Sequence, residues 1–167
     1  MSNKSKKIAL FGLMIALAFV FSYLESFIPI GIGIPGIKLG LANLVVVTAI
    51  YLFPKKYALI IAVIRIILAG LTFGGVSTML FSLAGGLLSF IIMVILQKTG
   101  KMSVIGVSVA GGIFHNAGQI IVAAFVMETA RLVYYLPVLV ISGVATGLLI
   151  GIISDITVKR LKKSKYL

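Results

Sequence analysis

The sequence contains no cysteine, so disulfides, thiolate catalysis and thiolate-bound metals are excluded. Acids are almost as scarce: Glu25, Glu128 and Asp155 stand alone against fifteen lysines and arginines. Three scattered carboxylates cannot assemble a paired-carboxylate site for Mg²⁺-diphosphate. Phosphate-loop, nucleophile-elbow and zinc-site signatures are also missing, which argues against ATP hydrolysis by that route and against serine or zinc chemistry. No enzymatic activity of its own and no cofactor are therefore expected. Charge of either sign is thin, at 11% of residues, and so few charges cannot solvate a soluble globule of 167 residues.

What fills the chain instead is apolar. Hydrophobic residues make up 61%, against about 45–50% in an ordinary soluble domain. The mean hydropathy is +1.26. The solvent of most of the surface must be lipid. The net charge of +12 suggests nucleic acid at first sight. The cations, however, sit in short clusters between apolar runs, where charge sets membrane orientation, so no nucleic-acid partner is expected.

Six apolar runs follow one another: Ile8–Pro29, Ile37–Phe53, Tyr57–Phe73, Val76–Leu96, Val104–Met127 and Tyr134–Val158. Each is read as a helix supplying the roughly 17–25 residues that cross a hydrocarbon core. Helices are favoured because the backbone must satisfy itself within lipid, and the runs lack the alternation of a β-barrel. The expected fold is all-α: a polytopic bundle of about six transmembrane helices forming one transmembrane domain over 1–167. The first run is too long for a signal-peptide core and no small-residue cleavage site ends it, so it reads as an uncleaved helix. The uncharged, Gly- and Pro-punctuated connection Pro29–Gly36 reads as a loop folded back over the bundle.

Orientation follows from the cations. Twelve of the fifteen fall on one side: Lys4, Lys6, Lys7, Lys55, Lys56, Lys98, Lys101 and the tail from Lys159 to Lys165. Lys38 and Arg131 lie opposite. The positive-inside rule then places both termini in the cytoplasm, in a multi-pass protein of the cell membrane.

Intramembrane polar residues are the candidates for function, because each is costly to bury. Arg65 lies near the middle of the third run, between Ile64 and Ile66. An arginine at that depth is unfavourable by about 2.5–3.5 kcal/mol on the translocon scale. It needs a partner, a cavity or a ligand. Three readings stand: a structural pair with Glu25, an anion-binding group, or a side chain snorkelling to the interface. Glu25, Lys38 and Asn43 mark a polar patch on the non-cytoplasmic half. The fifth run carries His115, Asn116 and Gln119, with His115 and Gln119 on one face. They read either as satisfied structural groups or as the reader of a polar head group. A single histidine without nearby carboxylates or thiols makes a poor metal site. Glu128 and Arg131, three residues apart, are expected to pair with each other, and Asp155 with Lys159 or Arg160.

Small residues recur at helix-contact spacing. Gly143, Gly147 and Gly151 form two G-x-x-x-G steps on the last run, and Gly70 and Gly74 another. Ala9, Gly12 and Ala16 share a face of the first. Packing within the chain is one reading of these stripes, and docking onto another membrane subunit the other. Ser77, Thr78, Ser82, Gly85, Gly86 and Ser89 make the fourth run small and mildly polar, as tight packing requires.

The strings PGIKLGLANLVVVTAIYLF (Pro35–Phe53), SLAGGLLS (Ser82–Ser89), GGIFHNAGQ (Gly111–Gln119) and YLPVL (Tyr135–Leu139) resemble the Gx transporter family, also called heptaprenyl diphosphate synthase component I. The six short helices, with small residues on the first, also resemble the substrate-binding S components of energy-coupling factor (ECF) transporters. That likeness implies capture of a solute from outside and docking, through Ala9, Gly12 and Ala16, on a membrane coupling subunit driven by ATPases. The solute, small and anionic or polar, would be bound by Lys38, Asn43, Arg65, His115, Asn116 and Gln119, with Glu25 holding Arg65. The synthase name implies the alternative: an accessory membrane protein of isoprenoid or quinone metabolism, or of electron transfer, binding a polyprenyl or quinone lipid. Prenyl synthases bind Mg²⁺-diphosphate through aspartate-rich motifs. With Asp155 as its sole aspartate, this chain cannot be the catalytic subunit.

Overall fold

The computed structural model describes residues 3–28 and 40–163. The expected loop Pro29–Gly36 and the candidate Lys38 lie outside them. Among the described residues there are six α-helices and no strand: α1 (Asn3–Ser26), α2 (Leu41–Leu52), α3 (Lys55–Ala69), α4 (Gly75–Thr99), α5 (Val104–Val126) and α6 (Leu136–Lys163). A π-helical segment, Gly70–Gly74, joins α3 to α4, and a 3₁₀ segment, Ala130–Tyr135, leads into α6.

Four stretches are long and apolar enough to cross a membrane: Ile8–Ser26, Lys55–Thr99, Val104–Val126 and Ala130–Lys163. The chain is a membrane-type helical protein. Lys55–Thr99 doubles back on itself. Gly75 has φ 77 and ψ 164, a conformation open to glycine but not to ordinary residues. Beyond it, α4 returns along α3, so that Met79 crosses over Gly70 and Ile66 reaches Gly86.

The second helix departs from expectation. The run Ile37–Phe53 is long enough to cross, yet the helix within the described residues begins only at Leu41, after Gly40 at φ 73. Its 12 residues rise about 18 Å at 1.5 Å each, short of a hydrocarbon core of about 30 Å. Seven of them are buried, from Ala42 to Ile50. A helix apolar all round can be enclosed on every side. Here α1, α3 and α6 enclose it.

The other half of the bundle is a row of helices in backbone contact. A Cβ on Gly143 would meet the Gly112 carbonyl carbon at 2.9 Å. One on Gly147 would lie 2.7 Å from the Val109 Cα, and one on Gly151 2.8 Å from the Ile105 Cα. The G-x-x-x-G ladder of α6 therefore packs on α5, within this chain. Gly85 of α4 meets the His115 carbonyl oxygen of α5, and Gly118 meets Gly85 in return. Lipid offers no hydrophobic drive for association, so such close approach supplies much of the cohesion.

Two expected ion pairs come out differently. Lys159 Nζ lies 2.6 Å from Asp155 Oδ2, one turn apart on α6. Glu128 and Arg131 do not pair. Glu128 has left the helix with φ 50, so the spacing of three no longer places the two side chains on one face.

The stripe Ala9, Gly12 and Ala16 is exposed, and a Cβ on Gly12 would meet nothing within 4 Å. This sets up a controlled comparison. Gly147→Leu forces a side chain into the α5 backbone and is expected to cost at least about 1–3 kcal/mol. Gly12→Leu, added in open space, is expected to leave the melting temperature of the purified protein in micelles unchanged. Equal losses in the two variants would contradict the packing.

Candidate functional site

Arg65 is placed by α3 facing the N-terminal turn of α2. Its Nη2 donates to Asn43 Oδ1 at 3.0 Å. Its Nε is buried with no hydrogen-bond partner. The guanidinium lines a cavity of about 350 Å³ together with Glu25. Around them stand the hydroxyls of Ser22, Ser26, Thr78 and Ser82, and the apolar Ile66, Phe73 and Met79. The π-helical segment forms part of the wall through Gly70, Phe73 and Gly74. Its wider turn carries Phe73 against Tyr23 and Phe19 of α1, at centroid distances of 5.6 and 5.9 Å. π-Helical turns of this kind frequently mark functional sites.

Glu25 does a job the sequence does not advertise. Its Oε1 accepts the Gly40 N–H at 2.5 Å. A carboxylate there complements the positive end of the α2 dipole and ties α1 to the start of α2. Glu25 and Arg65 are thus anchored to the same helix end, by Gly40 and by Asn43. They do not form an ion pair with each other. Among the described residues the one ion pair within 4.0 Å is Lys159–Asp155.

The polar string of α5 is divided between its two neighbours. Asn116 turns to α6, its Nδ2 donating to the Leu139 carbonyl at 2.7 Å and to Ser142 Oγ at 3.3 Å. Gln119 turns to α4, with Nε2 3.5 Å from Ser82 Oγ. Its Oε1 is buried without a partner. Gln119 thereby supports the wall from behind, because Ser82 lines the cavity. His115 is half-buried and lines neither described cavity. A second cavity, of about 20 Å³, sits beside Asn43, Ser108 and Thr146. It has room for about one water.

The candidates therefore form a graded set. Arg65 and Glu25 face the large cavity, Asn43 holds the guanidinium, Gln119 holds a wall residue, and Asn116 and His115 stand outside. The wall hydroxyls Ser22 and Ser26 were missed from sequence. A serine on a lipid-exposed helix carries no signal of its own. Thr78 and Ser82 carried one as members of the small, polar α4 run, but packing explained that run as well.

Across residues 14–157 the chain matches the family described as heptaprenyl diphosphate synthase component I. The chain belongs to that family. No curated protein and no solved structure matches it. In this heptaprenyl diphosphate synthase component I chain the single aspartate is committed to an ion pair on α6, at the end of the bundle where Lys159 is exposed.

The Asn43–Arg65 contact is open to a double-mutant cycle. Asn43→Ala strips an acceptor from a buried cation and is expected to cost about 1–3 kcal/mol. Arg65→Met in the same background should recover most of that loss, since the orphaned donor goes with it. Unfolding by SDS titration in mixed micelles reads both values, and simple additivity would show that the contact is not formed.

Proposed function

We propose that this protein is a substrate-capture subunit of a membrane transporter, similar to an S component of the ECF type. The observation that carries the reading is the cavity of about 350 Å³ with a guanidinium in its wall. Its volume falls within the range of about 300–1,000 Å³ usual for small-molecule sites. Arg65 binds an anionic group of the solute, Asn43 orients Arg65, and hydroxyls of α1 and α4 complete the polar lining. Glu25 in the cavity wall and Gln119 behind Ser82 belong to the same proposed site. Lys38 is assigned to it by the sequence reading, and Asn116 and His115 stand outside the cavity.

In this reading residues 1–167 form one transmembrane unit in the cell membrane, with about six crossings and both termini cytoplasmic. The doubling back of Lys55–Thr99 at Gly75 supports two crossings from that stretch. Lys55, Lys98 and the basic end of α6 mark the cytoplasmic face, and the cavity opens toward the opposite one. The exposed stripe Ala9, Gly12 and Ala16 is the docking face for a coupling subunit with its ATPases.

The family description favours a second reading. In it the protein is an accessory partner in isoprenoid or quinone metabolism, or in electron transfer, and the cavity receives a lipid head group. Affinity purification separates the two: ATPases in the complex support transport, and a soluble prenyl synthase or a redox protein supports the accessory role.

The site itself is tested by Arg65→Ala. Native mass spectrometry of the purified wild type is expected to show a co-purifying small molecule. The variant should lose it while melting within a few degrees of wild type. Arg65→Lys, which keeps the charge but not the planar fork, should retain it in part. A variant that folds and keeps the full ligand load would overturn the assignment.

A further inference from the structure

We infer that the end of the bundle where α2, α4 and α6 finish binds the phosphate of an anionic phospholipid, between Lys55, Lys98 and Lys162. Lys55 precedes Arg65 on α3 by ten residues, about 15 Å along the helix. The site is therefore separate from the cavity and independent of what the cavity holds.

The fold gathers the three lysines from distant parts of the sequence. Lys55 opens α3, Lys98 lies in the last turn of α4 and Lys162 in the last turn of α6. Because α4 returns along α3, its end lies beside the start of α3. α2 finishes at Leu52, just before Lys55, and packs against α6. The charges of Lys98 and Lys162 both act on Lys55, and beyond about 10 Å screening would remove most of that effect. Lys55 itself is held in place. Its Nζ donates to the Ile50 carbonyl in the last turn of α2, where the helix dipole favours a cation. One ammonium hydrogen is used there, and two remain for an anion.

Three like charges so placed call for a counter-charge, and no side chain is left to give one. The sequence has three acids. Phe11 stacks on Tyr57 at one end of α1, and Tyr23 on Phe73 at the other. Glu25 belongs to the Phe73 end, and Glu128 follows the end of α5 that lies away from Lys98. Asp155 is already 2.6 Å from Lys159. The residues outside the described set contain no aspartate or glutamate, so no undescribed side chain can fill the role. The compensating anion comes from outside the chain.

The surroundings make that anion a lipid's. Ile95 and Ile91 lie three and seven residues before Lys98 on the same face of α4, and each is 53% exposed. Ile152, Ile153 and Ile156 of α6 are exposed as well. A phospholipid whose chains lie along these isoleucines brings its phosphate to the level of the lysines. A free phosphate would use the cations alone. Basic pockets between helix ends at the membrane surface take anionic head groups in this way.

The test titrates the purified full chain in detergent with phosphatidylglycerol and phosphatidylcholine of the same acyl chains, read by native mass spectrometry. One phosphatidylglycerol is expected to bind about tenfold or more tighter than phosphatidylcholine. Lys98→Gln combined with Lys162→Gln changes two exposed side chains. That variant should fold as wild type and lose most of the preference, and adding Lys55→Gln should abolish it. Lys56→Gln, Lys101→Gln and Arg160→Gln together remove the same charge from the same end and should leave the preference nearly unchanged. Equal affinity for the two lipids, or equal losses in the two triple variants, would overturn the site in favour of diffuse surface charge. Displacement of phosphatidylglycerol by an equal concentration of glycerol phosphate would show a free-phosphate site and overturn the lipid assignment.

Discussion

Everything distinctive about this bundle is arranged around a guanidinium embedded in an apolar helix. Arg65 lies on α3 next to the buried Ile66, and its own Nε is buried. A cation there persists only where polar groups replace the water it has lost. The structure supplies one such group from the side chain of Asn43 and a cavity for the remainder. The start of α2 brings the side-chain carbonyl of Asn43 to the guanidinium, while the Gly40 N–H just before it is met by the Glu25 carboxylate.

The two halves of the molecule solve different problems. In α4, α5 and α6, glycines bring backbones into contact, and the polar residues of α5 are spent on neighbouring helices. This half is closely packed. In α1, α2 and α3, contacts are made by larger side chains, including an aromatic cluster around Phe73, and the cavity opens between this half and α4. The π-helical turn and the left-handed Gly75 lie at that seam. Close backbone packing on one side and a cavity on the other fit the proposed role of admitting a small molecule.

Much of this was legible in the sequence where a single physical rule governed the outcome. Apolar run length marked the helices, the cost of a buried cation singled out Arg65, and the G-x-x-x-G ladder of α6 announced a close helix contact, whose partner, α5, only the fold identifies. The Lys159–Asp155 pair followed from spacing on a continuous helix. The rest depended on where helices stop and what faces what. Run length overstated α2, because Gly40 delays the helix that composition alone would begin earlier. The left-handed turn at Glu128 undid a pair that helical spacing implied. Asn116 and Gln119 are close along the chain but diverge to α6 and α4, a division that no local pattern encodes. The carboxylate of Glu25 finds a backbone N–H fifteen residues on, and such partners are invisible until the chain is folded.

The central claim is that Arg65 looks into a cavity reached by water from the non-cytoplasmic side. The absence of native cysteine makes it accessible to site-directed thiol chemistry without background. With a single cysteine in the cavity wall, Ser22→Cys, a membrane-impermeant thiol reagent added outside intact cells should label the protein rapidly. A single cysteine on the lipid-facing side of α6, Ile141→Cys, should remain unlabelled. A position 22 thiol that resists labelling from outside, or that reacts only from the cytoplasmic side in inverted vesicles, would contradict the account.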